Sequence, residues 1–144
     1  MGSSGAWGIT LAVTAAAVLM GLAGTFPLKR VRAELGGVIG SRHDLEKVRE
    51  AISLNMKLAL VYLALWVGFL AFLGAGVFLD WWGFGDAVTK VFVFGVVTLP
   101  PGLWSRSEEK RFRAMRVECG DPSVAETFAR WLSDWGKAGV SLKE

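Results

Sequence analysis

The sequence is poor in the residues on which most chemistry depends. It has one histidine, one cysteine and one tyrosine in 144 residues. A lone Cys119 leaves no partner within the chain for a disulfide, no Cys-x-x-Cys pair and no metal site built on thiolates. A lone His43 excludes haem held between two histidines of one copy, and its place among charged residues reads as a solvated surface position. There is no glycine-rich phosphate loop, no nucleophile motif, no internal repeat and no alternating pattern that reads as a strand. These absences point away from an enzyme and toward a chain with no cofactor and no bound metal.

Charge is missing from long stretches as well. Residues 6–28 and 58–79 carry none, and 87–104 carries only Lys90. At ~1.5 Å of helical rise per residue, about 20 apolar residues cross a hydrocarbon core of ~30 Å. The pattern predicts an all-α integral membrane protein with three transmembrane helices. A segment over 29–57 joins the first two, and 105–144 forms a helical tail in the cytoplasm. Hydrophobic residues make up 53% of the chain, in keeping with that class.

The charges that are present orient the helices. A formal net charge of +3 could suggest nucleic acid, but the placement of the charges argues for the lipid bilayer as partner and for no nucleic acid. Lys29, Arg30, Arg32, Arg42, Lys47, Arg49 and Lys57 outnumber the acids of the same segment, whereas the short 80–90 region holds Asp80, Asp86 and Lys90. Lys and Arg near membrane ends stay on the cytoplasmic side. The expected arrangement is therefore a cell (inner) membrane protein with its N-terminus outside and its tail in the cytoplasm. Trp7, Trp81 and Trp82 would sit at the outer interface and Trp104 at the inner one, where an indole finds both apolar and polar surroundings. Met1 to Gly5 contains no Lys or Arg, so the first apolar stretch reads as an uncleaved anchor rather than a secretory signal.

Local signals divide the chain further. Pro27 predicts a bend or an end in the first helix, and Gly36, Gly37 and Gly40 break the backbone. Ser41, with Asp44 three residues on, predicts the start of a long second helix whose 42–57 portion is amphipathic through Leu45, Val48 and Ile52. The 80–86 turn is short enough only for a tight hairpin, with Asp86 expected to cap the third helix. Lys90 is expected to reach the outer interface and pair with Asp86. Gly95, Pro100 and Pro101 make that helix the least regular. A separate tail helix is expected from Ser107 through Glu118, ended by Gly120. Asp121 and Pro122 start another, ended by Gly136 and Gly139.

Two sets of residues stand out as candidate sites. Small residues recur four apart in the first helix, as Gly8, Ala12 and Ala16 and again as Ala17, Gly21 and Thr25. Ala64 and Gly68 do the same in the second. Helices in lipid associate where small side chains let backbones approach, so these lines are packing interfaces. They serve either the chain's own three helices or a partner, and two lines on one helix suggest more than one neighbour. The second set is the apolar face of Val124, Phe128, Trp131, Leu132 and Trp135. It must be buried in the membrane interface, on a partner or against the 42–57 helix, the last being the expected place because it would make a small helical cap. The function expected is a non-enzymatic scaffold or assembly subunit that packs on other membrane subunits or copies of itself. The alternative is a homo-oligomeric channel or transporter whose pore, between copies, would need Thr10, Thr14, Thr25, Asn55, Tyr62 and Thr98 as its lining.

Overall fold

A computed structural model describes residues 3–135 of the chain. Its four helices are α1 (Ser3–Glu34), α2 (Arg42–Phe78), α3 (Phe84–Arg113) and α4 (Pro122–Asp134). Two short strands, β1 (Val38–Ile39) and β2 (Arg116–Val117), lie between them. The first three helices are each long and apolar enough to cross a membrane. They form an up-down-up bundle in which α1 packs on both α2 and α3, while α2 and α3 touch each other much less.

The helix ends follow from local chemistry. α1 closes in a Schellman motif: the Gly37 N–H donates to the Arg32 carbonyl at 3.1 Å and the Gly36 N–H to the Ala33 carbonyl at 3.3 Å. Gly36 and Gly37 have φ of 61° and 81°, left-handed values that glycine adopts without strain. At the start of α2 the Ser41 hydroxyl accepts from the Asp44 N–H at 3.2 Å, and the Asp44 carboxylate accepts from the Gly40 N–H at 3.1 Å. The far end of α2 repeats the Schellman closure with Asp80 (φ 55°) in the left-handed position, and the Trp81 N–H reaches the Gly76 carbonyl at 2.8 Å. The chain then turns at once into α3.

Several sequence-based expectations are corrected. α1 does not end at Pro27 but runs seven residues further to Glu34, because Thr25 and Leu28 on either side of the proline are fully buried and hold the helix in place. Gly83, not Asp86, is the N-cap of α3, and Asp86 lies in its first turn. No break occurs at Ser107, since α3 runs through Pro100 and Pro101 to Arg113 and buries Glu108 and Phe112 on the continuation. Only after Arg113 does the chain leave the helix. There Val38 and Ile39 pair in parallel with Arg116 and Val117. Two residues are too few to show an alternating pattern, so neither strand leaves a signal in the sequence. The expected end of the last helix at Gly136 and Gly139 lies outside the described residues, and α4 itself stops at Asp134 with Trp135 as its C-cap.

Two clusters of buried apolar side chains lie at opposite ends of the bundle. At the hairpin end Ala6, Ala17, Phe69, Leu73, Trp82 and Phe94 pack together. Trp82 is buried among these side chains, and its indole N–H donates to the Leu73 carbonyl at 3.3 Å. Its ring lies against Gly76, where any Cβ would overlap it. At the other end Leu28, Ile39, Val48, Ile52, Met56 and Phe112 join residues of α4.

The wall between α1 and α3 yields a prediction. A Cβ at Gly21 would already touch the Pro101 Cβ at 3.4 Å, so the rest of a leucine side chain would crowd that contact, whereas Leu19 is 64% exposed. Gly21→Leu is expected to cost about 1–3 kcal/mol by overpacking and to lower the unfolding temperature of the detergent-solubilised protein, with Leu19→Ala near neutral. Equal midpoints for the two variants would contradict the contact.

Candidate functional site

The helical end opposite the hairpin is built around α4. Asp121 caps this helix, its carboxylate accepting from the Ser123 N–H at 2.9 Å, and Pro122 occupies the first turn. Contact with Ser123 holds the Asp121 carboxyl below the usual aspartate range, helped by the nearby Arg42. Val124, Phe128, Trp131 and Trp135 are buried and Leu132 is half-buried, all against Val48, Ile52 and Met56 of α2 and Phe112 of α3. Burying each such side chain stabilises the docked helix by roughly 1.5–3 kcal/mol.

Polar groups fix the dock in position. Arg113 donates to the carbonyls of Leu132 at 2.8 Å and Trp135 at 3.0 Å. These belong to the end of α4, where carbonyls lack helical partners and the helix dipole favours a cation. The same guanidinium lies 4.6 Å from the Trp135 ring centre, and Phe112 meets that ring edge-on. On the other side the Trp135 indole N–H donates to the Asn55 side-chain oxygen at 3.3 Å, and the Asn55 amide donates to the Gly24 carbonyl at 3.0 Å. One asparagine thus links α1, α2 and the end of α4. Arg113 reads in the sequence as part of a solvated charge run, and nothing in its spacing marks the two carbonyls that it holds.

A second polar cluster closes the seam between α1 and α3. Glu108, only 3% exposed, accepts from Arg32 at 3.0 Å and from Arg111 at 3.2 Å. A buried carboxylate is tolerable when it is paired in this way, and removing either arginine would leave charge poorly compensated. Nearby, the Lys47 ammonium hydrogen bonds to Glu34, which lowers the Glu34 pKa and raises that of Lys47. At the hairpin end Lys90 is fully buried rather than extended to an interface. It pairs with Asp86 and lies 4.9 Å from the Trp7 ring and 5.7 Å from the Trp82 ring. The surrounding rings and carboxylate replace the water that the ammonium would otherwise need.

The small-residue lines fall in different places. Ala17 and Thr25 are buried and Gly21 is half-buried against α3. Gly8 and Ala12 are exposed and Ala16 is half-buried. Ala64 and Gly68 are exposed and line an open groove of about 330 Å³ between α1 and α2, with Ile9, Val13 and Phe72 beside them. Thr10, Thr14, Thr25 and Thr98 are buried, and each hydroxyl donates to a carbonyl of its own helix at 2.7–2.9 Å.

A crevice separates α2 from α3 above the Asn55 bridge. Trp66 and Phe69 meet Phe94 with ring centres 4.6 Å apart, and these large rings hold the two backbones away from each other. Below them is a cavity of about 140 Å³, floored by Gly21 and Gly24 and walled by Asn55, Tyr62, Gly102 and Ser105.

The dock is testable by proteolysis. Trp→Ala in a packed core costs about 3–5 kcal/mol, enough to detach a helix of this length. The variant carrying both Trp131→Ala and Trp135→Ala is expected to be cut rapidly after Gly120 while the three long helices stay resistant. Cleavage at the wild-type rate would show that the face is not held by these rings.

Compared with protein-family models, with curated proteins and with solved structures, the chain matches none.

Proposed function

We propose that the chain is a non-enzymatic scaffold or assembly subunit of a membrane complex, its three long helices spanning the cell membrane. On this reading the N-terminus faces out and the capped end faces the cytoplasm. The observation that carries the reading is the open α1–α2 groove with Ala64 and Gly68 exposed along it. In lipid, a surface of small residues offers close backbone approach to another helix, which is the main source of association there. Ala17, Gly21 and Thr25 serve the chain's own packing, so the outward small residues are the ones left for a partner. The alternative, a pore between copies, draws less support. The threonine hydroxyls that it would need are buried within a single copy and bonded to their own helices.

Gly68→Leu separates a partner contact from the fold, because a Cβ at Gly68 meets nothing within 4 Å. Wild-type protein extracted in mild detergent is expected to migrate with other membrane chains. Gly68→Leu is expected to release them, with its own unfolding temperature unchanged. A wild-type monomer free of co-purifying chains, or a Gly68→Leu variant that retains its partners, would overturn the reading. A homogeneous homo-oligomer would favour the alternative.

A further inference from the structure

We infer that the crevice between α2 and α3 is a lipid site, which takes the ester carbonyl and first methylenes of one acyl chain of a glycerolipid. The inference rests on the membrane reading above. The crevice is not a packing accident that a side-chain adjustment would close. Its floor is backbone at Gly21 and Gly24, and its two sides are held apart by Trp66 and Phe69 against Phe94. A Cβ at Gly102, on its α3 side, would meet nothing within 4 Å. The volume of about 140 Å³ is close to that of an apolar cavity of ~150 Å³ known to hold a benzene-sized guest. That is room for an ester group and the start of its chain.

The chemistry of the walls selects the guest. Tyr62 and Ser105 line the crevice, and neither hydroxyl has a hydrogen-bond partner among the described residues. Tyr62 lies one helical turn inside the apolar 58–79 stretch, where a hydroxyl left without a partner is costly. The Asn55 amide spends one N–H on Gly24 and takes the Trp135 indole on its oxygen, which leaves its second N–H as a further donor. No charged side chain lines the cavity, so its polar groups are hydroxyls and one amide, with no cation. A phosphate would find no countercharge there, whereas an uncharged carbonyl finds both hydroxyl donors and an apolar continuation along Met20, Leu58 and Ala59. Tyr62 lies one turn inside one apolar stretch and Ser105 directly past the end of another, which is the border where a membrane lipid presents its ester carbonyl.

Native mass spectrometry of the full chain, purified in mild detergent and titrated with dioleoyl phosphatidylglycerol, tests this. One lipid per chain is expected to be retained. Tyr62→Phe and Ser105→Ala should each weaken retention about fivefold, in line with the loss of one hydrogen bond. Gly102→Leu should fill the crevice and abolish retention, whereas Gly74→Leu, at another site open to a side chain, should not. The ether-linked analogue of the same lipid, which lacks the carbonyl and so both hydrogen bonds, should bind wild type more weakly than the ester binds either single variant. Equal retention across the variants, equal binding of ether and ester lipids, or retention of an isoprenoid quinone in place of the phospholipid would each overturn the assignment. Recovery of the wild-type chain in solution without detergent would instead overturn the membrane reading itself.

Discussion

Close approach of α1 to both its neighbours, at residues with little or no side chain, sets the spacing of the whole bundle. Gly21 brings α1 to within van der Waals reach of Pro101 on α3, and Gly24 does the same for Asn55 and Leu58 on α2. On the proposed membrane reading, where a helix gains little from burying apolar surface, such contacts, with the hydrogen bonds between helices, would carry the association. With α1 as the shared wall, α2 and α3 need not meet along their length. They touch through aromatic rings near the hairpin and diverge below, which leaves the crevice as a consequence of the packing.

The divergence is closed from below by the α4 cap. Asn55 and Trp135 connect the carbonyl of Gly24, in the wall, to the end of α4, while Arg113 holds the last carbonyls of that helix. The cap is thus joined by hydrogen bonds to α2 and α3, with Asn55 carrying the link on to α1, and Arg42 of α2 adds a bond to the Ser123 hydroxyl at the start of α4. Glu108 with Arg32 adds a further tie across the same seam. The crevice is bounded by Gly21 and Gly24 on α1 and by Asn55 on α2.

Much of the architecture was legible in the sequence because it rests on periodicity and on charge-free length. Three apolar stretches became the three long helices, and the Ser41 and Asp121 caps fell where local side-chain chemistry puts them. Val124, Phe128 and Trp131 share one face by helical spacing, and the structure buries them together. What escaped were features decided by distant partners. Ser107 resembles a cap, but buried Glu108 and Phe112 keep α3 helical past it. Lys90 resembles an interfacial anchor until Trp7 and Trp82 are seen around it. Asn55 and Arg113 look ordinary in one dimension, since the carbonyls and rings that they hold are about 20 to 80 residues away.

The central claim, that α1 to α3 cross a membrane and leave the hairpin and the cap on opposite sides, can be tested by thiol labelling in sealed cells. In a Cys119→Ser background, single cysteines are placed at Gly83 in the hairpin and at Gly120 beside the cap, both at positions where a side chain meets no neighbour within 4 Å. A membrane-impermeant maleimide is predicted to label the Gly83→Cys protein in intact cells. The Gly120→Cys protein should be labelled only after permeabilisation. Labelling of both positions from the same side would contradict the three-crossing account.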